Sequence, residues 1–144
     1  MDPGSMRETA MVAPNPAAAI LALRAASDSL RSSRERISRN DFSGAFTDSR
    51  NAVRFASSAL LLRDGLVSDS AEGAFHALST RFPGRLPLEE WLDLERIPAN
   101  DSPGLYNMLL SAMGRLKKAG EQEAIHAALV AEAFVNAARA EMGI

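Results

Sequence analysis

The 144-residue chain contains no cysteine. That excludes disulfides, thiolate metal sites and a cysteine nucleophile, and it fits a protein kept in the reducing cytoplasm. No run approaches the ~18 consecutive apolar residues of a membrane-spanning helix. No basic segment followed by an apolar one opens the chain, so no signal peptide is expected. A strong excess of either charge is missing too: the formal net charge is −2, which removes bulk electrostatics as a driver of nucleic-acid binding. There are no alternating apolar–polar runs and no Asn-Gly hairpin turns, so no β-structure is expected. No internal repeat of fixed period appears. A Gly-x-Ser-x-Gly elbow and a Gly-rich phosphate loop are both lacking; Gly104, Gly114 and Gly120 stand isolated.

What is present is apolar and helical. Hydrophobic residues make up 47% of the chain, which fits one folded domain with a single core. Met1-Asp2-Pro3-Gly4-Ser5, followed by a second methionine at position 6, reads as a vector-derived leader. Residues 1–15 are expected to be that leader plus a flexible N-terminus, and residues 16–144 a single domain.

The stretch from Asn40 to Phe82 organises the chain. Asn40 and Asp41 can accept hydrogen bonds from the free N–H groups of a first turn. Phe42, Ala45, Phe46, Ala52, Val53, Ala56, Ala59 and Leu60 then recur at helical spacing. Gly65 reads as the left-handed residue just past the end. Asp69 or Ser70 can cap a shorter helix carrying Ala74, Phe75 and Leu78, closed by Pro83-Gly84.

On the N-terminal side, Asn15 caps and Pro16 opens a helix to about Ser38, with Leu23, Leu30 and Ile37 seven apart. On the C-terminal side, Pro83, Pro87, Pro98 and Pro103 mark a connector. It holds one short helix, near Pro87–Arg96, whose Leu88, Trp91, Leu92 and Leu94 cover an end of the bundle. A helix over Pro103–Lys118, a break at Ala119-Gly120 and a last helix over Glu121–Met142 complete the chain. The fold class is all-α: an antiparallel four- or five-helix up-and-down bundle with a short-helix, Pro-rich crossover. The expected core is Leu23, Leu30, Phe46, Val53, Leu60, Leu109, Met113, Leu129 and Phe134.

Groups that could carry chemistry are few. The two histidines, His76 and His126, have Glu72 and Gln122 four residues before them, and Glu123 lies three before His126. Each arrangement is half a metal site, so no metal and no cofactor are expected. Arg31, Arg34, Arg36 and Arg39 cluster against one acid, Glu35. They read as a solvated helix end complementing the macrodipole; the alternative is a nucleotide- or RNA-facing patch, which has no interleaved aromatic residues for stacking. The last helix has apolar or small residues on more than one face. Val130, Phe134 and Ala137 are therefore expected at the interface of a homodimer, unless the connector folds over that stripe instead.

The chain resembles the HEPN family over about residues 17–142. The likeness rests on Asp41-Phe42, on Ala59-Leu60-Leu61-Leu62 with Gly65-Leu66, on Glu72-Gly73 and Phe82, and on Ala133-Phe134-Val135. It implies a bundle of four or five helices, commonly dimeric. It also implies a nucleotidyltransferase partner in a toxin–antitoxin pair, since many members are encoded that way. Some members are metal-independent ribonucleases with an arginine, four to six residues, then a histidine. Here the corresponding positions are Asp69, Ser70 and Ala71 before His76, and Ala119, Gly120 and Glu121 before His126. None is arginine. The resemblance thus implies a non-catalytic interaction domain. A ribonuclease using Arg115 and His126, brought together across the helix junction or a dimer interface, is the alternative. An unrelated helical adaptor is the second alternative.

Overall fold

The computed structural model describes residues 9–96 and 115–144, with side chains described for 10–96 and 120–144. Helix α1 spans Pro16–Ser38. The Asn15 side chain accepts from the Ala18 N–H at 3.0 Å, with Pro16 following at the first helical position. Helix α2 spans Phe42–Arg63, and the Asp41 carboxylate accepts from the Gly44 N–H at 3.1 Å. Asn40 does not share that cap. It adopts φ 62° and closes α1 instead: its N–H donates to Ile37 O, and the Asp41 N–H donates to Arg36 O. These two hydrogen bonds to the last turn satisfy carbonyls that would otherwise be orphaned. Gly65, at φ 78°, follows α2 as expected. Ser70 rather than Asp69 caps helix α3, Ala71–Arg81. Helix α4 is Leu88–Arg96 and α5 is Arg115–Met142.

Two elements differ from the expectation. Residues 9–11 form a strand β1, Thr9–Met11, paired antiparallel with β2, Leu66–Ser68. Val12 N–H donates to Gly65 O and Asn15 N–H to Leu62 O, so residues 9–15 are docked rather than flexible. A three-residue strand is too short for alternation to show, and its pairing depends on a distant partner. The second difference is α5, which runs through Ala119-Gly120 without a break. A mid-helix glycine costs about 1 kcal/mol relative to alanine, a cost that packing of a long helix overrides. Expected residues Leu109 and Met113, and the helix over 103–114, lie outside the described residues.

The three long helices pack lengthwise. α1 runs antiparallel to α2: Ser33 meets Ala45 O and Ser49 near one end, and Asn15 meets Leu62 at the other. α5 runs parallel to α2. Phe42 and Ala45 cluster with Ala124, Phe46 with Ala127 and Val130, and Arg63 donates to Glu141 O at 2.6 Å. The seams are lined by alanines with almost no exposure, including Ala19, Ala26, Ala52, Ala56, Ala131 and Ala138, which lets the helices approach closely.

Leu23, Leu30, Phe46, Val53, Leu60 and Phe134 are buried as expected, but Leu129 is 61% exposed. α4 explains this. Trp91 sits edge-on to Phe134 with ring centroids 5.6 Å apart, and Leu94 packs with Phe46, Ala127 and Val130. The connector therefore lies over the Val130–Phe134 stripe. That stripe belongs to the chain's own core, and the opposite one is left facing solvent.

Candidate functional site

Within one chain the predicted catalytic pair is spread along a single helix. Arg115 and His126 lie on one continuous helix. At 1.5 Å rise per residue they are about 16 Å apart along its axis, so they cannot meet across a junction within one chain. His76 is exposed on α3, where its carbonyl accepts from the Ser79 and Thr80 hydroxyls. His126 is exposed on α5. Among the described residues no group of three or more histidines and carboxylates could hold a metal ion.

The arginine cluster is largely engaged with carboxylates. Arg31 faces Asp28 at 3.6 Å, and Arg34 pairs with Glu132 at 2.8 Å. Arg36 reaches both Asp41 and, at 2.9 Å, Asp48. The hydrogen bond from Arg36, then that from the Gly44 N–H, holds the Asp41 carboxyl below its ordinary range. Asp48 also accepts from the Ser32 hydroxyl at 2.6 Å. Most of the positive charge on this helix end is thus balanced locally, which weakens it as a phosphate-facing patch.

Of the three residues expected at a dimer interface, Phe134 is fully buried and Val130 is 7% exposed. Ala137 is half-buried and packs against the core. None of these side chains offers a free surface, because α4 and the core occupy that side of α5.

A polar cluster not found in the sequence joins α2 to α4. The Glu95 side chain is 8% exposed. It accepts from Arg54 Nε at 2.8 Å and Arg54 Nη2 at 2.7 Å, a fork-on-carboxylate pair. Arg50 Nη2 adds a longer contact at 3.4 Å, and the Trp91 indole N–H donates at 3.0 Å. The Arg50 guanidinium also lies 5.6 Å from the centroid of the Phe46 ring. Burial opposes the charge on Glu95. The hydrogen bonds from Arg54 and Trp91, with the charges of Arg54 and Arg50, outweigh that effect and hold the carboxyl below its ordinary range. Such a group stays ionised and saturated with donors at neutral pH, so it clamps α4 to α2 and is a poor general acid. The sequence holds only the two separate halves: Arg50 and Arg54, like Trp91 and Glu95, are four apart and share a helix face, but that the two faces meet is decided by packing.

No family model, curated protein or solved structure matches the chain. Among the described residues, no helix is long and apolar enough to cross a membrane.

Proposed function

We propose that this chain is a non-catalytic, HEPN-like helical interaction domain. It acts in the cytoplasm as a homodimer, in a toxin–antitoxin-type pair with a nucleotidyltransferase. The observation that carries the interaction reading is the solvent side of α5, where Ile125 and Leu129 are 42% and 61% exposed in mid-helix. Exposed apolar side chains adjacent on one helix face are what a partner surface requires. The distance between Arg115 and His126 along one helix supports a non-catalytic role, as does the lack of arginine at the positions before either histidine. The HEPN resemblance supports the choice of partner.

The test is an RNA-cleavage assay with purified protein and chelator present. No cleavage above a buffer control is expected. Cleavage that His126→Ala abolishes would overturn the non-catalytic reading in favour of a ribonuclease.

A further inference from the structure

We propose that α5 pairs antiparallel with α5 of a second copy, about a two-fold axis near Ala131. This rests on the interaction-domain reading and specifies its surface and register. The outward stripe of α5 divides by size. Its first half presents Gln122, Ile125, His126 and Leu129, and its second half Ala133, Asn136 and Ala140, all exposed. At 3.6 residues per turn these positions fall within a face roughly 100° wide. None is Asp, Glu, Lys or Arg, whereas the solvent ridge of an ordinary surface helix is charged.

A two-fold axis across antiparallel helices brings positions equidistant from the axis opposite each other. Leu129 then meets Ala133 of the second copy and Gln122 meets Ala140, so larger side chains face alanines there, while His126 lies level with Asn136 and Ile125 one residue further from the axis. In-register parallel pairing would instead set Leu129 on Leu129 and leave the alanines apart. The rim agrees in charge. Glu121 and Arg139 project on the same side of the stripe, both exposed. The antiparallel register sets Glu121 of each copy beside Arg139 of the other, and antiparallel alignment also opposes the helix dipoles favourably.

A single helix pair is a small interface, so association is reversible. Sedimentation velocity from about 1 µM to about 500 µM is expected to show a monomer–dimer equilibrium. Leu129→Glu and Ala133→Glu are each expected to raise the dissociation constant at least ~10-fold, with the helical circular-dichroism signal retained because both side chains are outside the core. Glu121→Arg should weaken the dimer, and combining it with Arg139→Glu should restore it. A wild-type chain that stays monomeric throughout, leaving the face for a different protein, overturns the pairing. So does a dimer indifferent to Leu129→Glu, or a double variant that recovers nothing. RNA cleavage by a chain that nevertheless dimerises this way would sink the non-catalytic reading alone, so the two can fail separately.

Discussion

Among the described residues, Glu95 gathers Arg50, Arg54 and Trp91, and its replacement is felt by all of them. Glu95→Gln keeps the size but leaves Arg54 and Arg50 without their counter-charge. A loss of roughly 2–4 kcal/mol is expected, read from the shift of the urea midpoint. The pH dependence follows from the direction of the shift. The Glu95 carboxyl is held below its unfolded range, so its contribution is present above about pH 4.3, the ordinary glutamate value. It is lost as pH falls through the lower, folded-state value. Glu95→Gln should therefore flatten the acid limb of the stability profile, and an unchanged midpoint and acid limb would show that the cluster does not hold α4. A second contrast concerns α5. Phe134→Ala should cost roughly 3–5 kcal/mol, because the ring is fully buried against Trp91. Leu129→Ala should stay within about 0.5 kcal/mol. Equal losses would mean that the wrong stripe has been assigned to the core.

At the scale of the element, α5 carries a glycine where a break is expected and none occurs. A Cβ built on Gly120 would lie 3.9 Å from Phe42 Cβ, an ordinary contact. Among the described residues nothing there requires glycine. Gly120→Ala should therefore raise stability by about 0.5–1 kcal/mol, through helix propensity and the lost freedom of the unfolded chain. A fall in the thermal midpoint would contradict a continuous helix through this position. The helix starts were more legible. Asn15, Asp41 and Ser70 each carry the side-chain oxygen that a first turn needs, and each accepts a first-turn N–H.

At the scale of the whole molecule, Gly65 links the N-terminal arm to the bundle. It has φ 78°, and an added Cβ would come within 2.6 Å of Val12 O and 3.2 Å of Pro14. Gly65→Ala should cost more than about 1 kcal/mol and should speed proteolysis within residues 9–14 as the arm detaches. In a chain starting at Pro14, the clash with Val12 is gone and only the left-handed strain and the Pro14 contact remain. The penalty should shrink there. An equal penalty in both chains would show that the arm does not bear on Gly65.

The amino-acid sequence alone determined the starts of α1, α2 and α3, the apolar stripes of α1 and α2, and the left-handed exit at Gly65. These depend on neighbours within a few residues, where capping and periodicity act. It could not decide which of two apolar stripes on α5 faces inward. That depends on α4, roughly forty residues earlier in the chain, whose Trp91 and Leu94 lie over Phe134 and Val130. Nor could it find the Arg50–Arg54–Glu95 clamp or the β1–β2 pair, since their partners are distant in the chain and meet only when the helices pack. For the same reason, tertiary packing decided that Val130 and Phe134 are buried while Ile125 and Leu129 are exposed: which face of a helix is covered depends on what packs against it.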